Sequence, residues 1–237
     1  ARRGCTGPDC HNFAVFQECD PAQCPLGALC GNQRLQRRKF APVKIQNMSG
    51  KGWGVVAKKP IPKEALIGEY TGEVMTEKMC EERMQARKHE RHKYFMTLGN
   101  GEAIDASRRG SLLRFCNHSC NPNCETQKWT VSGERRIGVF ALRPVAAGEE
   151  LTFNYQFARC GAERAPCLCG APACKGFLGG GDADAEKAEE IRERNDPKTM
   201  AAYLRSEYSR ALDPVTGALE APGFARAKAE AADHALV

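Results

Sequence analysis

The chain has 237 residues, of which 13 are cysteine, and it carries a formal net charge of +6. This length allows one domain of ordinary core size with appendages. No apolar run is long enough to span a membrane and the first residues contain no signal-peptide core, so we expect an intracellular, reducing setting and no membrane partner. In such a setting clustered cysteines bind metal more often than they form disulfides.

The charge is unevenly distributed along the chain. Residues 1–180 carry 27 basic and 17 acidic side chains, whereas residues 181–237 carry 8 basic and 12 acidic ones. A basic body suits a partner with phosphates, such as DNA. A solubilising surface explains the same charge equally well, so charge alone leaves both interpretations open.

The first thirty residues are loop-like and rich in Cys, Pro and Gly. So short and irregular a segment has little core, and we expect metal to hold it together. Its candidate ligands are Cys5, Cys10, Cys19, Cys24 and Cys30.

From Lys39 the pattern becomes one of short strands and turns. Thr76 is predicted to cap a helix that continues to about Lys93, and Gly99–Gly101 and Ser132–Gly133 are predicted hairpin turns. Many short strands with one inserted helix indicate a β-rich α+β domain. The predicted strands are Trp53–Lys58, Leu66–Val74, Tyr94–Leu98, Ala103–Asp105, Arg136–Leu142 and Glu150–Tyr155.

The segment 181–237 differs in composition from the rest, being rich in Ala, Glu and Arg. Helices are predicted from Asp184 to about Arg194 and near Lys198–Leu212, each followed by an Asp-Pro break. This acidic, helical tail could pack on the domain, bind another protein or remain mobile.

Two stretches combine residues that are able to carry chemistry: Arg114–Trp129 (RFCNHSCNPNCETQKW) and Gly148–Tyr155 (GEELTFNY). Asn-His-Ser and Asn-Pro-Asn favour a tight turn, and Pro122 excludes a helix through it. Cys120 is well placed to add a fourth thiolate to the later Cys-x-Cys-x4-Cys run, and tetrahedral zinc requires four ligands. A shared ion would clamp residues 158–176 over the turn. The cysteines of this zinc set are Cys120, Cys167, Cys169 and Cys174.

These stretches, with Lys-Gly-Trp-Gly at 51–54 and the run CLCGAPACKGFLGG from Cys167, resemble the SET-domain protein lysine methyltransferases. The likeness is greatest to the branch that acts on histone H3 lysine 36, and it runs from about Cys5 to Gly180. It implies an AWS (associated with SET) zinc module at 1–40, a SET domain at 41–158 and a post-SET zinc segment at 159–180. The SET domain is expected to consist of small sheets around a knot-like threading of residues 117–120.

The resemblance also implies how the cysteines of the first module are used. An AWS module holds two structural zinc ions with seven cysteines, one of them shared. By that match Cys5, Cys19, Cys24 and Cys30 complete one site, and Cys10 belongs to a second site whose two earliest ligands would lie before Ala1. Either the chain is a fragment cut inside the module, or it carries one zinc there.

The function implied is transfer of methyl groups from S-adenosylmethionine to a lysine of histone H3, lysine 36, within the nucleosome. The expected location is chromatin in the nucleus, with nucleosomal DNA as a further partner. The alternatives are a methyltransferase for another histone lysine, such as the lysine-4 class, or for a non-histone protein. An alternative of another class is a catalytically silent, zinc-stapled scaffold that binds histones, although Tyr155, Asn117 and His118 argue against silence.

Site residues follow from the same resemblance. Tyr155 is expected to be the catalytic tyrosine and Tyr94 the second one, and the lysine channel is expected to be walled by Phe153, Phe157 and Cys116. Leu168 stands where a Phe is common, so adenine stacking there should be weaker, and Lys93 stands where an aromatic residue is common. The expected cofactor contacts are Lys51, Gly52, Trp53, His92, Lys93, Tyr94, Arg114, Asn117, His118, Tyr155 and Leu168.

Overall fold

The computed structural model describes residue 5 and residues 10–87, 89–90, 93–155 and 166–178, and every structural statement below concerns these residues. The helices are α1 (His11–Ala14), α2 (Glu77–Ala86) and the 3-10 helices η1 (Gly27–Leu29) and η2 (Leu112–Phe115). The strands are β1 (Val43–Met48), β2 (Gly52–Ala57), β3 (Leu66–Tyr70), β4 (Glu73–Thr76), β5 (Phe95–Gly99), β6 (Glu102–Asp105), β7 (Asn117–His118), β8 (Cys124–Val131), β9 (Glu134–Ala141) and β10 (Glu150–Phe153).

These strands form three small sheets, which confirms the prediction of a β-rich α+β fold. Their strand orders are β1-β2-β10-β7, β3-β9-β8 and β4-β6-β5. All neighbouring strands are antiparallel except β7 and β10, which run parallel and pair Thr152 with Asn117 and Phe153 with His118. The strand that leads to Tyr155 therefore lies directly beside the Asn-His turn.

The predicted strand Leu66–Val74 was wrong as a single element, because the chain breaks at Thr71-Gly72 and the two halves join different sheets. A Cβ atom built on Gly72 would lie 2.6 Å from the backbone oxygen of Asp105. Only a residue without a side chain allows that close approach. The local pattern could not reveal the break, since both halves are of β type.

The helix prediction was right about where α2 begins and too long at its other end. Thr76 accepts a hydrogen bond from the amide of Met79 at 3.3 Å, as an N-cap residue should. The helix ends at Ala86, several residues before Lys93. Lys93 donates from its Nζ to the carbonyl of Arg87 at this end of the helix.

Three strands, β1, β7 and β8, were absent from the prediction. β8 follows directly on the turn around Pro122 and pairs along its whole length with β9. The hairpin between them turns at Ser132 and Gly133, whose φ angles of 52° and 83° are both left-handed, as a type I′ turn requires. This hairpin turn was predicted.

The main core lies between the sheets and consists of fully buried aliphatic side chains. Val55 of β2, Val139 of β9 and Leu151 of β10 have no exposed surface. β10 contributes to this core and also carries the residues that reach the site, so burial fixes its position.

The N-terminal segment packs on the β8–β9 hairpin through aromatic contacts. The ring centroid of Trp129 lies 5.4 Å from that of Phe13 and 5.5 Å from that of Phe16, each in edge-to-face geometry. The guanidinium of Arg34 lies over the rings of Trp129, at 5.4 Å, and Phe140, at 4.9 Å. This cluster joins the cysteine-rich segment to the sheets.

The predicted acidic tail, residues 181–237, lies outside the described part of the chain. The predicted domain boundaries at 40, 158 and 180 stay predictions. No helix in the described ranges is long and apolar enough to cross a membrane.

We predict that Arg34→Ala lowers the free energy of unfolding by about 1–2 kcal/mol, because the guanidinium loses its stacking on three rings. Arg34→Lys should recover less than half of the loss, since an ammonium cannot stack as a plane. Urea unfolding measures both. Lys39→Ala, at an exposed position, is the control, and equal effects of the Arg34 and Lys39 changes would contradict the assignment.

Candidate functional site

Tyr155 is held by two hydrogen bonds to the Asn-His turn. Its hydroxyl donates to the carbonyl oxygen of Cys116 at 2.7 Å, and its backbone amide donates to Nδ1 of His118 at 3.2 Å. The His118 ring lies 5.4 Å from the tyrosine ring, and that of Phe153 lies 5.2 Å from it. The parallel pairing of β7 and β10 thus brings together residues nearly forty positions apart in the sequence.

The surroundings of this hydroxyl are apolar and phenolic. Burial raises the pKa of Tyr155, and Cys116, Tyr70 and Tyr94 shift it in the same direction. Burial likewise raises the pKa of Tyr70 and of Tyr94. All three phenols therefore stay protonated at neutral pH and are able to act as hydrogen-bond donors.

Tyr70 was missed by the sequence analysis, although it is 4% exposed and an electrostatic neighbour of Tyr155. A signal was available, because Tyr70 ends the β3 strand directly before the Thr71-Gly72 break. Phe153, at 5% exposure, and Cys116, at 1%, are buried beside Tyr155. Their role as channel walls stays a prediction. Phe157 lies outside the described residues.

Arg114 packs against the same aromatic region. Its guanidinium lies 4.7 Å from the ring centroid of Phe115 and 5.4 Å from that of Tyr94. Its Nη1 donates to the carbonyl oxygen of Ala106 at 2.9 Å. Among the described residues its partners are therefore a carbonyl and two rings, while the carboxylates of Glu69 and Glu73 pair with Arg136 and Arg83.

A second group of predicted residues forms a polar network around one carboxylate. Nζ of Lys51 lies 2.8 Å from Oε2 of Glu150, and Nδ2 of Asn117 donates to Oε1 of Glu150 at 2.8 Å. Asn117 also donates to the backbone oxygen of Trp53 at 3.3 Å. Glu150 was missed, and only its place in Gly-Glu-Glu-Leu could have drawn attention to it.

Open space lies beside this network at Gly52. Its φ of +84° favours glycine, and an added Cβ would have no neighbour within 4 Å. The cradle formed by Lys51, Gly52 and Asn117 therefore offers accessible backbone, an ammonium and a side-chain amide, polar groups suited to a zwitterionic ligand end. Leu168 is half-buried beside Cys167, and His92 lies outside the described residues.

His118 connects the tyrosine to the later cysteines. Its Nε2 lies 3.3 Å from Sγ of Cys120, while its Nδ1 accepts from Tyr155. Burial lowers the pKa of His118 to about 4, and the positive charge of Lys175 acts in the same direction. The ring is therefore neutral at physiological pH.

The four predicted cysteines Cys120, Cys167, Cys169 and Cys174 converge. Their sulfur atoms lie within 4.8 Å of one another, and Cys120 Sγ is 3.9 Å from both Cys167 Sγ and Cys174 Sγ. A disulfide would need about 2.0 Å. Four thiolates at about 2.3 Å from a zinc ion are separated by about 3.8 Å, so the cluster fits tetrahedral zinc.

Backbone amides around these sulfur atoms support the same interpretation. The amides of Ala171 and Lys175 each lie 3.5 Å from a cysteine sulfur, and that of Gly176 lies 3.4 Å from one. Such donors stabilise thiolate charge around a metal.

The N-terminal cysteines form a second convergent set. Sulfur atoms of Cys5, Cys19, Cys24 and Cys30 lie within 4.8 Å of one another, with 3.9 Å between those of Cys5 and Cys24. Cys10 lies beside them, its sulfur 3.8 Å from that of Cys19. The set of four fits one zinc ion, and a second site through Cys10 stays a prediction.

We predict that Cys169→Ser lowers the zinc content by about one ion per chain, because a hydroxyl does not replace a thiolate ligand. Mass spectrometry of the native protein and elemental analysis measure it. Cys80→Ala is the matched control, since Cys80 is buried in an apolar cluster with Met75 and Ala103. Unchanged zinc in the Cys169 variant would contradict the site.

Comparison with known proteins agrees with this geometry. The family model for the AWS domain matches residues 2–38, and that for the SET domain matches residues 52–156. Proteins of Homo sapiens and Mus musculus named Histone-lysine N-methyltransferase SETD2 are each 44% identical over 217 residues, which cover 91% of this chain and 8% of theirs.

Fungal relatives are similar. A Schizosaccharomyces pombe protein named Histone-lysine N-methyltransferase, H3 lysine-36 specific, is 44% identical over 192 residues, covering 79% of this chain and 24% of that protein. An Aspergillus fumigatus protein of the same name is 47% identical over 174 residues, covering 73% of this chain and 18% of that protein. The chain thus spans less than a quarter of the length of these relatives. With its matched domains, its strand arrangement and its two cysteine clusters, the chain belongs to the SET-domain family, with an AWS module ahead of the SET domain.

Proposed function

We propose that this protein is a histone-lysine N-methyltransferase that uses S-adenosylmethionine and modifies lysine 36 of histone H3 in chromatin. The observation that carries the proposal is the buried hydroxyl of Tyr155, fixed 2.7 Å from the Cys116 carbonyl beside the polar cradle of Lys51 and Asn117. The names of the relatives support lysine 36 as the target.

The chemistry of the site depends on excluding charge from the lysine. S-Adenosylmethionine, when bound, supplies a methyl group on a positively charged sulfonium. An attacking lysine needs a free lone pair and must therefore arrive unprotonated. The side chains of Phe153, Tyr70 and Tyr94 are uncharged and buried or half-buried, so desolvation disfavours the ammonium form of the lysine and lowers its pKa.

Tyr155 is proposed to align the reacting groups. Its hydrogen is donated to the Cys116 carbonyl, which leaves the phenolic oxygen as an acceptor towards the channel. An acceptor there orients an amine hydrogen or a polarised methyl group without removing a proton from the lysine. Orientation of this kind is worth about 7–11 kcal/mol in favourable cases.

The cradle at Gly52 is proposed to hold the cofactor. Lys51 would bind the carboxylate of its methionine end, and the backbone at Gly52 allows close approach. Asn117 and His118 lie on β7, between this cradle and Tyr155, so the same two residues border both halves of the site.

The histone tail is proposed to bind as an extended strand. β5 is an edge strand of its sheet and begins directly after Tyr94, so its free edge leads to the tyrosines. Strand addition supplies main-chain hydrogen bonds and leaves alternate side chains facing the channel.

The decisive experiment is methyl transfer to recombinant nucleosomes, followed by mass spectrometry of the histones. We expect modification at lysine 36 of histone H3. Modification of lysine 4 or of a non-histone protein would mean that the proposed substrate is wrong. If the folded, zinc-loaded protein transferred no methyl group, the alternative of a silent scaffold that binds histones would be favoured.

Tyr155→Phe should reduce turnover by about a hundredfold or more, because the positioned oxygen is removed. Its affinity for S-adenosylhomocysteine and its thermal melting should change little, since the ring remains in place. Single-turnover kinetics and calorimetry separate the two quantities. Turnover close to that of the wild type would overturn the assignment of Tyr155.

Nucleosomal DNA is proposed to contact a basic surface formed by Lys128 and Arg135. Both side chains are exposed, and in the described ranges neither forms an ion pair with a carboxylate. They lie together beside Gly99, within 3.7 Å of the position a Cβ would take there. Two unpaired cations at one hairpin end suit phosphate contacts.

We predict that Lys128→Glu with Arg135→Glu weakens nucleosome binding by about tenfold or more at low salt, because phosphate contacts are lost. Methylation of a free H3 peptide should stay unchanged. Gel shift and peptide kinetics measure the two effects. Lys63→Glu, at an exposed position with a carboxylate neighbour, is the control, and equal losses on peptide and nucleosome would contradict DNA contact.

A further inference from the structure

Glu150 occupies a central position between two separate parts of the cofactor cradle. It is the first residue of β10, and its side chain is 14% exposed. Each carboxylate oxygen has its own donor: Oε2 faces Lys51 Nζ at 2.8 Å, and Oε1 accepts from Asn117 Nδ2 at 2.8 Å. One carboxylate therefore fixes side chains from the β1–β2 turn and from β7.

The amide of Asn117 is fixed in one orientation by this arrangement. Its Nδ2 carries two hydrogens, and the two acceptors present are Glu150 Oε1 and the Trp53 carbonyl oxygen, the latter at 3.3 Å. If the amide were flipped, its oxygen would face two acceptors, which is unfavourable. Oδ1 therefore points away from both and remains an acceptor.

Lys51 keeps hydrogen-bond donors for a ligand, whereas Asn117 keeps an acceptor. Its ammonium has three N–H groups, and the ion pair with Glu150 uses one of them. The other donors remain for a ligand. The cradle thus presents one acceptor and one cation side by side, and both are oriented by the same carboxylate.

We propose that Glu150 is a positioning residue: it orients Asn117 and Lys51 so that the cradle presents one acceptor and one cation to the amino-acid end of the cofactor. Asn117 Oδ1 then receives an ammonium and Lys51 Nζ receives a carboxylate, which are the two charged groups of a methionine end. This inference rests on the proposed use of S-adenosylmethionine and adds a residue that itself touches no reacting atom.

Gly54 supplies an independent observation. A Cβ built there would lie 2.4 Å from Met48 Cγ, 2.9 Å from Glu150 Oε1 and 3.0 Å from Asn117 Nδ2. The network therefore needs a residue without a side chain at this position. Gly54→Ala would press on Met48 and on the carboxylate and amide of the network, while leaving every charge in the chain unchanged.

The test uses two ligands that differ in the amino-acid end. S-Adenosylhomocysteine has that end, and 5′-methylthioadenosine lacks it. Glu150→Gln should raise the Kd for S-adenosylhomocysteine about tenfold, equivalent to about 1.4 kcal/mol, because the Lys51 pair is lost. The Kd for 5′-methylthioadenosine should change less than about twofold, and Gly54→Ala should give the same selective loss.

The control is Glu73→Gln, which removes a carboxylate paired with Arg83 at 2.8 Å in a different sheet. It should change neither Kd. Thermal melting of all three variants monitors folding, and if Glu150→Gln does not fold, Gly54→Ala decides the question.

Two results would overturn the inference alone: an unchanged Kd for S-adenosylhomocysteine in both variants, or an equal loss for both ligands. Equal loss would mean that Glu150 supports the sheet rather than the polarity of the cradle. Failure of the wild-type protein to bind either ligand would instead overturn the proposed function, and this inference with it.

Discussion

Four converging sulfur atoms impose the constraint on which the site depends. Sγ atoms within 4.8 Å of one another would repel as thiolates unless a cation lay between them. Cys120 belongs to the turn after β7, whereas the other three cysteines belong to residues 166–178. That segment has few buried residues, chiefly Cys167 and Phe177. A metal ion bound by the four cysteines would therefore stabilise this segment in place of a hydrophobic core.

The same turn transmits this constraint to the tyrosine. His118 touches Cys120 through one ring nitrogen and the amide of Tyr155 through the other. β7 has only two residues, so its position depends on its neighbours: β10 on one side and the cysteine cluster on the other. The cysteine cluster and β10 therefore hold His118 between them, and His118 holds the amide of Tyr155.

β10 contributes both to the hydrophobic core and to a polar network. Leu151 to Phe153 are buried in the core, while Glu150, immediately before them, is held in a polar network. The network is tolerated because each carboxylate oxygen has a donor, and a buried carboxylate without one would be costly. Packing therefore fixes the strand, and the strand fixes both the tyrosine and the polarity of the cradle.

Local patterns in the sequence determined much of this protein. Cysteine spacing predicted the set of Cys120 with the later cysteines, Thr76 predicted its cap, and Ser132–Gly133 predicted the hairpin turn, because each depends on residue type and pattern. The grouping of the N-terminal cysteines came from the resemblance to the AWS module. Similarity of motifs supplied the family and the expectation that Tyr155 is the catalytic tyrosine.

Tertiary structure alone decided the rest. The break at Gly72 depends on the backbone of Asp105, and the partners of Arg114 are carbonyls and rings brought together by folding. Lys51 and Glu150 lie 99 positions apart, so no local pattern could pair them. Tyr70 escaped notice for the same reason. Periodicity and spacing report contacts between residues that are near in sequence. This site is formed by strands from distant segments, so it depends on contacts between residues that are far apart in sequence.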